Sequence, residues 1–333
     1  MTVNKMEKNM TQSKKLKLAV IGVGHLGKFH AQKYAQMPEV ELRGVVDMDA
    51  QKALPLAEQY HTHAYTDYRE ILGRIEAASL AVPTAAHYDL AVELLQAGIH
   101  LLIEKPITFR REDADRLIAL AHERSLVLQI GHIERFNPAV MQMQKWIDRP
   151  FLFEAERLSP FTVRGTDVDV VLDLMIHDLD IILHTVRSKI REISASGASV
   201  VTDKIDMAEA RLIFENNVTA HLTASRFADK PTRMIRVFQA ASYLAVDCAK
   251  REISAVRAEA VVDRKTPAPA IRTESLSFTD RDPLADEIRS FVQAVLQGKD
   301  PEVTGQDGRD ALQAALSISA QITKGQNHFK PSR

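Results

Sequence analysis

Two short stretches of this chain carry side chains suited to moving protons. Glu104-Lys105-Pro106 sets a lysine between the apolar run His100 to Ile103 and a proline that restricts the preceding backbone. A lone lysine is usually a solvated surface charge, but this one is held at a strand's carboxyl end, near a cleft. Farther along, Asp173-Leu174-Met175-Ile176-His177-Asp178-Leu179-Asp180 places Asp173 and His177 four residues apart and Asp180 three beyond, which predicts one shared helical stripe. An imidazole with an ordinary pKa of about 6.5 suits general-base work near neutrality, and Asp173 would tune it. The plainer alternative is a helix with a capping Asp and a satisfied core histidine. No second histidine stands at a helical spacing that completes a three-ligand set, so no metal is expected.

A third stretch has the pattern that receives a dinucleotide. Gly22-Val23-Gly24-His25-Leu26-Gly27 follows the apolar run Leu18 to Ile21 and opens a helix-like segment. Gly22 permits the tight turn, Gly24 lets the backbone approach a pyrophosphate, and Gly27 lets helix rest on strand. The N–H groups at the helix start, with His25 and Leu26 in the turn, would face the phosphate charge. Asp47, at the end of the next apolar run, would accept from ribose hydroxyls and repel a 2′-phosphate, so NAD is expected over NADP. Val82, Pro83 and Thr84 end another strand, with His87 three residues on, and Glu104 and Lys105 end a further one. Ligands of open α/β sheets bind beyond such carboxyl ends, which adds these six residues to the cofactor candidates. The bland reading of His87 is a surface histidine at a helix start.

These residues need elements to hold them. Short strands at Leu18 to Gly22, Glu41 to Val46, Ala78 to Val82, His100 to Ile103 and Leu126 to Gly131 alternate with helices at Leu26 to Gln36, Asp49 to Tyr60, His87 to Ala97 and Arg111 to Arg124. Strands without polar alternation between single helices predict a doubly wound parallel sheet. After Phe136-Asn137-Pro138 the character changes. Helices are expected at Ala139 to Trp146 and Val171 to Thr185, then strands at Glu192 to Val201, Met207 to Phe214, Val218 to Ser225, Met234 to Phe238 and Ser242 to Asp247. Glu215-Asn216-Asn217 has hairpin chemistry. These strands predict a mostly antiparallel open sheet of five or six strands. Residues 255 to 280 read as loop with an edge strand near Glu274 to Phe278, and helices at Pro283 to Gln297 and Gln306 to Thr323 close the chain. The expected organisation is a polar tail at 1–14, a nucleotide domain at 15–136 and an α+β domain at 137–333, which binds substrate and makes a dimer or tetramer through its sheet.

Composition bounds the function. The chain has 333 residues, 45% of them hydrophobic, and a formal net charge of -1, so nothing global draws it to nucleic acid or an anionic membrane. No apolar run nears the length of a bilayer span, and a cytoplasmic protein is expected. Cys248 stands alone, in an expected strand, and admits no disulfide framework.

Taken together, Gly22/Gly24/Gly27, Glu104-Lys105-Pro106 and Asp173-x-x-x-His177-x-x-Asp180 resemble the glucose-fructose oxidoreductase, inositol dehydrogenase and rhizopine catabolism protein family over essentially the whole chain. The Ala81-Val82-Pro83-Thr84 strand end and Asp307-Gly308-x-x-Ala311-Leu312 belong to the same likeness. The resemblance implies a Rossmann domain binding NAD, Lys105 hydrogen-bonded to the reacting hydroxyl, His177 as general base, and Asp173 positioning the substrate or His177. Paired glycines common before the helix aspartate are replaced here by Asp167-Val168-Asp169-Val170-Val171-Leu172. Arg157-Leu158-Ser159-Pro160-Phe161-x-x-Arg164 leading into Asp169 is similar to a branch that oxidises the C3 hydroxyl of UDP-N-acetylglucosamine, whose ketone an aminotransferase converts for lipid A. That likeness implies cations for a diphosphate, and Arg135, Arg157 and Arg164, with Asn137, are the substrate-binding candidates beside Asp173 and His177. A surface ion pair is the bland reading of each arginine. Phe151 and Phe153 read as core. A free polyol or aldose as substrate, or a non-catalytic binding role on the same fold, stays open.

Overall fold

A computed structural model describes residues 15–162, 168–258 and 270–325. In chain order the first elements are β1 (Leu16–Ile21), α1 (Gly27–Ala35), β2 (Val40–Val46), α2 (Ala50–Gln59), β3 (Ala64–Tyr65), β4 (Ala77–Leu80), α3 (His87–Gln96), β5 (His100–Glu104), α4 (Arg111–Glu123) and β6 (Leu128–Gly131). Their sheet runs β3-β2-β1-β4-β5-β6, and β1 pairs in parallel with both β2 and β4. Strand order reverses beside β1, the arrangement of a doubly wound fold. Leu18, Ala19 and Val20 of β1 and Leu101 to Ile103 of β5 are fully buried, because helices cover both faces of such a sheet. That burial accounts for the missing polar alternation.

The later elements are α5 (Pro138–Trp146), β7 (Pro150–Leu158), α6 (Ile176–Val186), β8 (Ile190–Ala198), β9 (Met207–Phe214), β10 (Thr219–Ser225), β11 (Thr232–Gln239), β12 (Ser242–Asp247), β13 (Glu252–Ala258), β14 (Ile271–Ser277), α7 (Pro283–Gln297) and α8 (Gly305–Gly325). The second sheet has eight strands, in the order β14-β13-β12-β11-β7-β10-β9-β8, more than the expected five or six. All its pairs are antiparallel except β7 with β10. The two additions are β7, inside the sheet, and β13, beside the edge strand β14. Alternation is clear once they are paired: Ile253 and Ala255 are buried on β13, and Phe153 and Ala155 on β7. Phe153 is core as expected, whereas Phe151 is exposed. On β9, Ala208, Ala210, Leu212 and Phe214 face inward while Met207, Glu209 and Arg211 face solvent. The β9–β10 hairpin turns at Asn217, which takes a positive φ of 66° that asparagine tolerates. Cys248 lies just past β12 rather than in a strand, buried and unpaired.

The expected helix from Val171 is divided. Val171–Met175 forms one π-type turn, and α6 starts at Ile176. Compactness divides the whole chain into a unit of residues 1–104, 119–129 and 288–302 and a unit of residues 105–118, 130–287 and 303–333. Most of α7 therefore groups with the first unit, unlike the continuous 137–333 domain the composition suggested. Among the described residues no helix is long and apolar enough to cross a membrane.

Candidate active site

In the first unit the glycine turn is built from backbone. Gly22 takes a φ of +86°, and a Cβ there would lie 2.6 Å from the Ala81 carbonyl oxygen. Only glycine fits. A Cβ on Gly27 would collide with the Gly22 carbonyl, so glycine is needed where α1 meets the turn. A Cβ on Gly24 would meet nothing within 4 Å. The turn is thus closed on the protein side at Gly22 and Gly27 and open at Gly24. Leu26 precedes α1 without a side-chain cap, and both His25 and Leu26 are exposed. An uncapped helix start beside an open glycine has the geometry that suits an anion.

Asp47 locks this turn as well as facing outward from it. Its Oδ2 accepts from Val23 N at 3.1 Å, and its Oδ1 accepts from Asp49 N at 3.0 Å. At the end of β4, Val82 is half-buried, Pro83 exposed and Thr84 buried. His87 is buried, with Nε2 3.0 Å from the Val82 carbonyl oxygen, so it braces the Val82-Pro83-Thr84 turn. Glu104 is buried 3.0 Å from His30 Nε2. His30 Nδ1 lies 3.1 Å from Ser79 Oγ, itself 2.7 Å from Tyr34 Oη. This polar chain ties the end of β5 to α1 and β4, an anchoring role for Glu104. The turn, the helix start and Asp47 fit NAD by their own chemistry: an open approach at Gly24, a helix start without a side-chain cap and a carboxylate for ribose hydroxyls.

The second unit begins with Lys105, joined to Pro106 by a cis bond. Lys105 Nζ donates to the Asp173 carbonyl oxygen at 2.7 Å and to Asp173 Oδ1 at 3.2 Å. The π-type turn brings that carbonyl out of the ordinary helical ladder's register, where Lys105 reaches it. Asp173 therefore holds Lys105, and the expected carboxylate–imidazole pairing with His177 is replaced by this contact. His177 is half-buried, with Nδ1 shielded and unpartnered. Burial, then the Lys105 cation, then Arg157, His132 and Arg233 push its pKa well below the ordinary value. It is a neutral imidazole at neutral pH.

His132, which the sequence reading passed over, stands edge-on to His177 with ring centroids 6.5 Å apart. It is fully buried with neither ring nitrogen partnered, and burial with the Lys105 cation pushes its pKa down to about 3. Its only signal in sequence was its place at the end of a strand.

The arginines expected to bind a diphosphate turn inward. Arg157 is 3% exposed. Its Nη2 and Nε donate to Asp178 at 2.7 and 3.0 Å, and its Nη1 donates to Glu134 Oε1 at 2.8 Å. Arg135 is equally buried and donates to Asp180 Oδ1 at 3.2 Å. Burial pushes the Asp180 pKa up to about 7 against the pull of Arg135. Asp180 thus belongs to Arg135 and not to the His177 stripe. Asn137 caps α5 by accepting from Ala139 N, and its Nδ2 donates to Glu134 and to the Cys248 carbonyl. Arg135, Asn137 and Arg157 form an internal frame, because buried charges need buried partners. Arg164 lies outside the described residues.

With this geometry in hand, comparison with known proteins is informative. The oxidoreductase family with an NAD-binding Rossmann fold matches residues 16–132, and the GFO/IDH/MocA C-terminal domain matches residues 140–242. UDP-N-acetylglucosamine 3-dehydrogenase of Acidithiobacillus ferrooxidans is 40% identical over 92% of this chain and 97% of its own length. A solved structure of UDP-N-acetylglucosamine 3-dehydrogenase GnnA from Acidithiobacillus ferrooxidans is similar with a TM-score of 0.86 and 38% identity, covering 93% of this chain and 98% of that one. Levoglucosan dehydrogenase in complex with NADH shares the fold at a TM-score of 0.84 and 18% identity, covering 93% and 98%.

Proposed function

The chain belongs to the GFO/IDH/MocA oxidoreductase family, an NAD-binding enzyme family, and from that premise we propose that it oxidises the C3 hydroxyl of UDP-N-acetylglucosamine to a ketone. The observation that carries the reading is 40% identity along 97% of a relative with that activity. Lys105, Asp173 and His177 supply the matching chemistry.

NAD, when bound, supplies the acceptor for a hydride leaving the sugar carbon. The residues of this chain handle the proton and the charge. Asp173 holds the Lys105 ammonium through both its carbonyl and its carboxylate, leaving one donor of the ammonium for the substrate oxygen. That contact stabilises oxyanion character as the C–H bond weakens. With Nδ1 of His177 shielded, Nε2 is the nitrogen that takes the hydroxyl proton. Its depressed pKa keeps it unprotonated and ready. Protonated His177 then returns its proton to water after the ketone leaves.

The test follows NADH formation with purified protein, NAD and UDP-N-acetylglucosamine, an aminotransferase with glutamate trapping the ketone. Parallel assays use free N-acetylglucosamine and myo-inositol. NADH formed with the nucleotide sugar alone is the expected result. NADH formed only with a free sugar or polyol would replace this reading with a catabolic one. The same reading makes an aminotransferase the consumer of the product in lipid A synthesis, places the enzyme in the cytoplasm where nucleotide sugars are made, and assigns the half-exposed face of the eight-stranded sheet to a dimer or tetramer contact.

A further inference from the structure

The frame around Arg157 and Arg135 takes up two of the three cations first expected for the diphosphate of the proposed substrate, and the third, Arg164, lies outside the described residues. Another guanidinium meets the need. Arg233 is the register partner of Arg157 across β7 and β11, so both side chains leave the same face of the sheet. Arg157 is buried, whereas the Arg233 side chain is 53% exposed. Its charged neighbour is Glu134 Oε1 at 3.9 Å, beyond hydrogen-bond reach, and that same oxygen already accepts from Arg157 at 2.8 Å. Glu134, Asp178, Arg157 and Arg233 sum to zero charge. The Arg233 side chain completes that balance from the edge of the cluster, hydrogen-bonding no carboxylate there and standing half-exposed. Its field reaches His177 and Asp178, where it disfavours the protonated imidazole.

The same end of the sheet presents aromatic surface. Leu158, the last residue of β7, pairs with Ser225 at the end of β10 and with Thr232 at the start of β11. The two loops that leave this point are tied together: Ser159 N donates to the Ser225 carbonyl at 2.8 Å, and Ala228 N donates to the Ser159 carbonyl at 3.2 Å. Each exposes a phenylalanine, Phe161 at 39% and Phe227 at 59%. Phe227 is held by its own backbone, since Phe227 N donates to Ser225 Oγ and its carbonyl accepts from that hydroxyl. An ordered backbone carrying an exposed ring, a few residues from a half-exposed guanidinium, is a surface with a ligand's chemistry.

We infer that Arg233 and Phe227, with Phe161 beside them, form the subsite for the nucleoside diphosphate end of the substrate. The guanidinium takes diphosphate oxygens through paired N–H donors, and the rings take the flat base by stacking. This inference rests on the nucleotide-sugar reading of the site, and UDP itself is a probe that does not depend on turnover.

The experiment measures UDP binding by calorimetry and UDP-N-acetylglucosamine kinetics on the full-length protein with NAD present, for the natural chain and for Arg233→Ala, Arg233→Lys and Phe227→Ala. Arg233→Ala should weaken UDP binding and raise KM roughly 10- to 100-fold while lowering kcat far less, from loss of a charge-assisted pair. Arg233→Lys should recover part of the loss, and Phe227→Ala should weaken UDP binding by roughly 5-fold or more. KM for NAD and the thermal midpoint should stay unchanged in both alanine variants, because both side chains are largely exposed. Turnover by the natural chain with KM and UDP affinity unmoved in Arg233→Ala would overturn the subsite and leave the proposed function standing. UDP binding that Arg233→Ala weakens, without turnover of the nucleotide sugar, would keep the subsite and reject the function. No UDP binding by the natural chain would overturn the subsite.

Discussion

The turn from Ile21 to Gly27 and the cluster around His177 are two candidate sites among the described residues, and they are assembled differently. The turn is one continuous stretch whose chemistry lies in backbone geometry: a positive φ at Gly22, an open approach at Gly24 and no room for a Cβ at Gly27. The His177 cluster draws Lys105, Glu134, Asp173, Asp178 and Arg233 from four separate stretches, and its chemistry lies in which charge each side chain finds. A site made of adjacent residues tolerates no change of residue type but needs little else. A site made of distant residues depends on who neutralises whom, and similar side chains within it carry opposite duties: Arg157 is buried between two carboxylates while Arg233 faces solvent.

Four measurements would break or sharpen that contrast. Replacing Arg157 with Met should destabilise the protein most, by about 3–5 kcal/mol in denaturant unfolding, because Glu134 and Asp178 would be left buried without their cation. If the variant instead kept its stability and only raised KM for the nucleotide sugar, Arg157 would be a substrate ligand and the contrast would fail. Lys105→Ala should lower kcat by about 10²–10³ with NAD affinity retained, since the proposed function has this residue act on the reacting oxygen. A parallel fall in NAD affinity would show that the two sites are not separable.

Gly24→Ala should weaken NAD binding on the order of tenfold with the thermal midpoint unchanged, its Cβ standing in open space on the pyrophosphate path. Gly27→Ala is the control, expected to lose both NAD affinity and stability through its collision with Gly22.

The smallest effect is in pH dependence. The His177 pKa is depressed, so its base form persists below about 6.5, and kcat/KM should fall only as pH drops through that lowered value. Lys105→Met removes one cause of the depression and should move the acid limb upward in whatever activity remains. The folded-state pKa of His132, about 3, is likewise below its unfolded value. Its stabilising contribution is complete above about 6.5 and is lost as pH falls toward 3. Unfolding midpoints across that window should flatten in His132→Phe, and an unaltered slope would remove His132 from the account.

The legible parts of the fold were those where one local rule acts alone. β1, β4 and β5 of the first sheet are near-continuous apolar runs because both faces are covered, and helices α2, α3 and α4 appear within a residue or so of their expected bounds. β13 was missed because its strand character lies in Ile253 and Ala255 meeting the core, a weak pattern until β12 and β14 flank it. The helix expected from Val171 was right in place and wrong in pitch: its first turn is wider, which gives the Asp173 carbonyl to Lys105. His132 and Arg233 carried no motif, and only the folded chain sets one beside His177 and the other opposite Arg157.

Residue type and spacing alone were enough to expect a dinucleotide turn and NAD, because each depends on constraints within a few residues or on a single functional group, whereas the roles proposed for Lys105, Asp173 and His177 came from the family resemblance. The pairing of charges was decided by tertiary structure. An arginine in a sequence is a cation without a partner, and whether it braces a core or receives a phosphate depends on how many carboxylates share its burial. Here Glu134 and Asp178 enclose Arg157, Asp180 takes Arg135, and Arg233 is left at the surface, since buried charge is stable only when it is neutralised where it lies.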